Sequence, residues 1–447
     1  MSDYIYMLES HLNPDQNRVV EEVQEAAGHA NVNLFLTGGA MRDMLAGFRI
    51  RDLDFVVEGN ALKVAKSLCE KAGAKLVSSD EVRKSAELVF PSGATAQIGM
   101  SRQEKYARTG AKPQVTAATI QEDLRGRDFT CNAIALSLNR TSRGLLLDPM
   151  NGLADIERRE LRAISTYGFY DDPSRLLRLV RFSVRLGFTV EERTRMQVSN
   201  AREAEVEKQI PARTLGEELK RTASEDSPSE VLKGLEEAGL LVLSSPALTG
   251  PKLNLPGIVK FEKNCKLLQD DTTTRAARLG PFLYVLTEKL TAKEKQALIK
   301  AADLRKPELE QWQKLEGRAK KLETALRAAR IKKASQVYAI MSVAPAEEIL
   351  FQLYHSPLKP VQERMRNYYS KYLPLLQEIT PEEWGTVEGK LGTPKYKKAR
   401  EEFIAYRLDR RVKKPPVPEE VPPAPAGPPP SSWTTPETAL ARRGRQG

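Results

Sequence analysis

Leu34-Phe-Leu-Thr-Gly-Gly-Ala-Met-Arg-Asp43, followed by Arg51-Asp-Leu-Asp-Phe-Val-Val57, is the stretch on which the reading turns. The apolar run 34–36 predicts a strand that ends at Thr37-Gly38-Gly39, where a helix begins. Glycines let the backbone approach a phosphate closely, and a helix N-terminus offers unpaired N–H groups. Arg42 supplies a cation for a triphosphate. Asp52 and Asp54 are one residue apart on a second predicted strand, 52–57. Side chains alternate along a strand, so both carboxylates share a face. Two hard carboxylates side by side suit Mg2+, which takes oxygen ligands. Two such ions about 3.5–4 Å apart can activate a hydroxyl and stabilise a leaving pyrophosphate. Taken alone, Asp-x-Asp reads as a solvated strand start; the glycine turn upstream gives it a partner.

Working outward, residues 87–90 and 94–98 predict a hairpin across Pro91-Ser92-Gly93, and 134–138 and 144–147 predict further strands. Residues 61–71 show helical spacing through Leu62, Ala65 and Leu68. Glu122-Asp-Leu-Arg-Gly-Arg-Asp-Phe-Thr-Cys-Asn-Ala133 places Arg127, Asp128 and Asn132 ahead of an apolar strand. That mixture gives a cation for phosphate and a carboxylate and an amide for sugar hydroxyls; helix-end electrostatics is the plainer explanation. In Asp171-Asp-Pro-Ser-Arg-Leu-Leu-Arg-Leu-Val-Arg-Phe-Ser-Val-Arg185, an Asp can cap a helix whose first turn accepts Pro173. Arg175, Arg178, Arg181 and Arg185 fall along one face, as a solvated basic stripe would. Asp172 and Arg175, one turn apart, also offer an acceptor and a donor to a base edge.

From about residue 151 the pattern is almost entirely helical, and Leu309, Trp312, Leu315, Ala319, Leu322 and Leu326 predict one long helix. Residues 359–372 mix Lys359, Arg364, Arg366 and Lys371 with Tyr368, Tyr369 and Tyr372, either an RNA-facing surface or an amphipathic core helix. Residues 412–447 hold 10 of the 28 prolines and read as a disordered tail ending in Arg442, Arg443 and Arg445. The expected plan is α+β: a head at 1–150, a neck at 151–245, a helical body and tail at 246–411, then the proline-rich segment.

The 447 residues carry 70 Lys and Arg against 59 Asp and Glu, a net charge of +11 that favours a polyanionic partner. No stretch of 18 apolar residues exists, which argues against a membrane helix, and residues 1–11 lack a signal-peptide pattern. Cys69, Cys131 and Cys265 are odd in number and far apart, so a cytoplasmic location is expected. His11, His29 and His355 are scattered, which excludes a His-rich hydrolase or zinc site. The chemistry therefore rests on carboxylates and cations.

These motifs, with Asp148-Pro-Met-Asn-Gly-Leu-x-Asp155, resemble the class II nucleotidyltransferases of tRNA 3′-end synthesis. That family comprises CCA-adding, CC-adding and A-adding enzymes, with bacterial poly(A) polymerases as relatives. The resemblance covers roughly residues 30–245. It implies a polymerase β-like head on a helical neck, body and tail. It also implies addition of C and A to the tRNA 3′ end from CTP and ATP with Mg2+. By the same resemblance, Asp52 and Asp54 hold the metals and are catalytic. Gly39 and Arg42 meet the phosphates, and Arg127, Asp128 and Asn132 contact the nucleotide. Asp172 and Arg175 read the base, and Arg178 and Arg181 support them. Arg102-Gln-Glu-Lys-Tyr106 resembles the segment that helps switch the template from C to A, and no basic poly(A)-polymerase stretch stands in its place. Three positions depart from the family, one of them Asp171 in place of a frequent Glu. Gln97 stands where a third acid is usual, and Gly126 replaces an Arg. A CC-adding, A-adding or poly(A)-adding relative, or a catalytically weakened RNA-binding one, remain the alternatives. The sequence sets no oligomeric state.

Overall fold

The computed structural model describes residues 3–268, 272–390 and 392–410; the proline-rich segment at 412–447 lies outside them. Two units divide the chain, one ending at Thr380 and the other beginning at Pro381.

The first unit opens with α1 (Asp3–His11) and α2 (Pro14–Ala30). Asn13 and Gln16 close a reciprocal capping box at the start of α2, worth about 1 kcal/mol. Then come β1 (Asn33–Thr37), α3 (Gly38–Leu45), β2 (Leu53–Glu58), α4 (Ala61–Lys71), β3 (Lys75–Asp80), β4 (Ser85–Val89) and β5 (Thr95–Met100). The β4–β5 turn falls at Pro91-Ser92-Gly93 as expected, with Phe90 N–H donating to Ala94 O at 2.8 Å and Gly93 at φ +87°. A ribbon of β6 (Arg102–Lys105) and β7 (Gln114–Ala117) leads to α5 (Ile120–Arg125), β8 (Ala135–Ser137) and β9 (Leu146–Leu147).

Seven strands form one sheet in the order β3-β4-β5-β2-β1-β8-β9. The β2–β5 pair is parallel and the other pairs are antiparallel. Leu34, Leu36, Leu53, Phe55, Ala96 and Ile98 bury one face against Val19 and Val23 of α2 and Val64 and Leu68 of α4. The other face carries a smaller cluster of Phe35, Val56, Ile120, Leu124 and Ala135. Burying a Leu or Phe contributes about 1.5–3 kcal/mol, so this sandwich fixes the ends of β1 and β2.

Past residue 151 the chain is helical with one exception. α6 (Gly152–Arg158), β10 (Glu160–Leu161), α7 (Gly168–Asp171), α8 (Arg175–Leu186) and β11 (Thr189–Val190) follow, and β10 pairs with β11 in parallel. Strands of two residues are too short to leave a periodicity. Then come α9 (Glu192–Glu203), α10 (Ala212–Ser224), α11 (Pro228–Glu237), α12 (Leu255–Cys265), α13 (Thr272–Ala276), α14 (Leu279–Leu286), α15 (Ala292–Ala301), α16 (Lys306–Gln313), α17 (Leu315–Arg327), α18 (Ala334–Met341), α19 (Ala346–His355) and α20 (Lys359–Asn367). The single helix expected from Leu309 to Leu326 is two, broken at Lys314, and the halves pack on different neighbours, α16 on α14 and α17 on α19. Tyr368 of the candidate RNA-facing stretch is buried against Tyr338 and Tyr369, and Arg364 caps the carbonyl of Ile331 at 2.6 Å. For Tyr368 and Arg364, the core reading wins over the surface one.

Candidate active site

Gly38 and Gly39 end β1 and open α3, and Asp54 stands on the adjacent β2. Leu53 and Phe55 enter the main core, which leaves the opposite face of β2 to Asp54, while Asp52 lies one residue ahead of the strand rather than on it as expected. Asp52 is exposed and Asp54 is half-buried. Gly39 N–H donates to Asp54 Oδ2 at 3.3 Å, and Thr37 Oγ1 to the Asp54 carbonyl at 3.4 Å. Burial, then the charge of Asp52, push the Asp54 carboxyl up to about 6, against the pull of Arg127, the Gly39 N–H and Arg42. Arg51 donates to Glu225 at 3.0 Å and Asp226 at 2.5 Å, pinning the chain ahead of Asp52 to the turn after α10.

Gly38 sits at φ +64°, and a Cβ there would lie 3.0 Å from Arg127 Nη1 and 3.3 Å from Asp54 Oδ2. The glycine thus lets the Arg127 guanidinium and the Asp54 carboxylate converge. Arg127 is held by Asp123 Oδ2 at 2.9 Å and Thr37 Oγ1 at 3.2 Å. Its carbonyl accepts Arg175 Nη1 at 3.3 Å, while the Gly126 carbonyl takes Nη2 at 3.2 Å. The bare Gly168 admits that side chain, since a Cβ there would lie 2.9 Å from Arg175 Nη1.

A ladder of alternating charge runs from α8 through α3 and back. Arg185 donates to Asp43 at 2.6 Å, and Arg42 donates to Asp43 at 2.7 Å and to Asn132 Oδ1 at 2.7 Å. Asn132 Nδ2 donates to Asp128 Oδ1 at 2.9 Å. Arg178 joins Asp128 at 3.2 Å and Asp172 at 3.5 Å. Burial pushes the Asp128 carboxyl up, but Arg178 and Arg175 overcome it and hold it at about 2. Glu218 is likewise held at about 2: burial raises it, and Arg181, Arg221 and Arg178 outweigh that. Burial and the neighbouring Arg42 lower Arg185 to about 10 despite Asp43.

The expected site residues therefore converge, yet two do so from beneath. Arg42, expected to meet the phosphates, is 3% exposed, bonded to Asp43 and Asn132, with its guanidinium carbon 5.0 Å above the Phe182 ring. Asn132, expected to touch the nucleotide, is buried as the bridge from Arg42 to Asp128. Both correct the expectation of direct contact, because a desolvated guanidinium must be matched inside the protein. Gly39 faces the site, but its N–H is directed at Asp54. Of the expected residues, Asp52 is exposed, and Asp54, Arg127, Asp128, Asp172, Arg175 and Arg178 are half-buried. Arg181 is buried between Glu218 and Glu225, so the four arginines of α8 are not a solvated stripe. Sequence reasoning missed Thr37, Asp43, Asp123, Glu218 and Glu225. Thr37 and Asp43 stood within the glycine-turn motif without a role, and Asp123 left a trace in its four-residue spacing from Arg127.

Residues 34–162 match the Poly A polymerase head domain family. The CC-adding tRNA nucleotidyltransferase of Deinococcus radiodurans is 31% identical over 295 residues, which cover 66% of this chain and 76% of that protein. The chain belongs to the tRNA nucleotidyltransferase family. A further member, the A-adding tRNA nucleotidyltransferase of Halalkalibacterium halodurans, is 38% identical over 194 residues, 43% of this chain and 45% of that one. The A-adding tRNA nucleotidyltransferase of Aquifex aeolicus is matched over only 24% of its length. The chain thus spans less than half of these two A-adding relatives. A solved CCA-adding enzyme, apo form II, superposes with a TM-score of 0.53 at 25% identity, covering 90% of this chain and 94% of that one. The tRNA nucleotidyltransferase fold, an α+β head on a helical remainder, thus extends over most of the chain. No helix among the described residues is long and apolar enough to cross a membrane.

Proposed function

We propose that this chain extends the 3′ end of tRNA with C and A from CTP and ATP, without a nucleic-acid template. The observation that carries the reading is the meeting of Asp54 and Arg127 at Gly38, with the Arg175 guanidinium seated on the Arg127 carbonyl. Arg127, held in place by Asp123, stands beside the Asp54 carboxylate, where it would face the phosphates of a nucleotide. Asp172 offers an acceptor to a base edge, Arg175 offers the N–H groups it does not give to the Gly126 and Arg127 carbonyls, and Arg178 holds Asp128 and Asp172 in place. A net charge of +11 suits a tRNA partner.

The paired acids fit a divalent cation. Burial and the charge of Asp52 destabilise the Asp54 carboxylate, and a cation would relieve both. Asp52 and Asp54 would hold Mg2+. When bound, the ion would lower the barrier to attack of the terminal ribose hydroxyl on the α-phosphate, with loss of pyrophosphate. Gln97, the neighbour of Asp54 on β5, brings no charge, so these two acids would hold the ions with the substrate phosphates.

The test is incorporation by the full chain, with Mg2+, of CTP alone, ATP alone and both, on tRNAs ending at the discriminator base, at C and at CC. Extension to CCA carries the proposal. Addition of C alone or A alone would instead favour a partial-specificity enzyme, the activity printed in the names of the Deinococcus and Halalkalibacterium relatives. Tight tRNA binding with no incorporation under any condition would refute it.

A further inference from the structure

Ser174 stands at the N-cap of α8, where a serine hydroxyl ordinarily accepts a hydrogen bond from the first helical turn. It makes no such bond here. Its Oγ instead donates to Asp172 Oδ1 at 2.5 Å, and its N–H donates to the same oxygen at 3.1 Å. Ser174 is 1% exposed, so no water competes for the hydroxyl. The other oxygen of Asp172, Oδ2, has Arg178 Nη2 at 3.5 Å, while Arg178 is held more closely by Asp128 at 3.2 Å. Arg175, one turn away, is drawn off to the carbonyls of Gly126 and Arg127. The side chain of Asp172 is 22% exposed.

We propose that Ser174 is a positioning residue for base selection: by clamping Oδ1 of Asp172 it leaves Oδ2 as the acceptor an incoming base must satisfy. The inference rests on the nucleotide-addition reading above. Without the hydroxyl, only the Ser174 N–H at 3.1 Å still holds Oδ1, and the Asp172 carboxylate rotates more readily about its side-chain bonds. The nearest cation, Arg178, would then close on it, because a carboxylate left unmatched beside a guanidinium pairs with it. A closed pair offers no acceptor to a base, and C and A would then be separated only by the remaining donors.

The experiment compares kcat/KM for CTP and ATP, each on tRNA ending at the discriminator base and on tRNA ending in CC, for wild type, Ser174→Ala and Ser174→Thr. Loss of one hydrogen bond to a charged group corresponds to about a tenfold to hundredfold change. Ser174→Ala is expected to lower the ratio of correct to incorrect nucleotide by that factor, and Ser174→Thr to keep it near wild type. If the alanine variant does not fold, Ser174→Thr against Ser174→Val isolates the hydroxyl at constant shape. Equal discrimination by the folded alanine variant and wild type, or by Thr and Val, overturns the proposal. A wild type that incorporates neither nucleotide defeats the underlying reading instead, so the two failures are distinct.

Discussion

Arg178 Nη1 donates to Asp128 Oδ2 at 3.2 Å and so ties α8 to the chain that follows α5. Arg178 also faces Asp172 and Glu218, so one guanidinium serves three carboxylates.

Replacing Arg178 by Ala removes the cation shared by those groups. The expected loss at neutral pH is about 1–3 kcal/mol. The pH dependence is signed. Asp128 and Glu218 are held at about 2, below their ordinary 3.8 and 4.5. Depressed carboxylates contribute stability above their unfolded values, and that contribution is lost as pH falls toward 2. Urea melts of wild type should therefore weaken steeply from pH 4.5 to 2.5, and those of Arg178→Ala less steeply. Parallel slopes would remove Arg178 as the cause. A lysine cannot fork between two carboxylates, so Arg178→Lys should recover only part of the loss.

Asp54→Asn should be more stable than wild type at pH 7.5 without divalent cations. A carboxyl raised to about 6 favours the fold when protonated, and that advantage disappears as pH climbs past 6. Allowing for its partial exposure, the gain is about 1–2 kcal/mol, and it should vanish at pH 4. Mg2+ should raise the melting temperature of wild type and leave Asp54→Asn unmoved, and incorporation by the variant should be abolished. A variant less stable than wild type at pH 7.5 contradicts the electrostatic account.

Gly38→Ala should be impaired twice over. A non-glycine residue at φ +64° is strained by about 1 kcal/mol. Its methyl would also enter between Arg127 and Asp54. The expected signature is a modest drop in melting temperature with a KM for nucleotide raised at least tenfold. An unchanged KM would show that Arg127 does not meet the nucleotide from this position.

Gln97 lies opposite Asp54 in the parallel β2–β5 ladder, and Glu87 of β4 lies opposite Gln97. A carboxylate at 97 adds a third charge beside the pair. Gln97→Asp should lower the Mg2+ concentration giving half-maximal activity and the one giving half-maximal thermal stabilisation. No shift in either would place the side chain outside the reach of a bound ion.

The head was legible because its signals are local. The glycine turn and the Pro91-Ser92-Gly93 hairpin each rest on neighbours in sequence and appear where their residues predict, while the strand expected from Asp52 begins at Leu53. The break at Lys314 was not legible, because Leu309, Trp312 and Leu315 keep their spacing through it while the packing partner changes. The depth of Arg42 and Asn132 was hidden for a related reason. Motif position tells which residues gather, but burial is decided by what lies across the chain, here Phe182 from α8. The sequence points to an Asp as the cap of α8 and assigns Ser174 no part, whereas the structure puts Ser174 at the cap with its hydroxyl on Asp172.

The seam near residue 150 carries one more implication. Thr130 N–H donates to Arg162 O at 3.0 Å, and the rings of Phe129 and Phe182 meet edge to face at 6.0 Å. A Cβ on Gly152 would stand 2.1 Å from the Thr130 carbonyl. Severed at 150, neither fragment would keep its half of this joint, so residues 1–150 should not be obtainable as a free-standing polypeptide and should melt together with the helices that follow them.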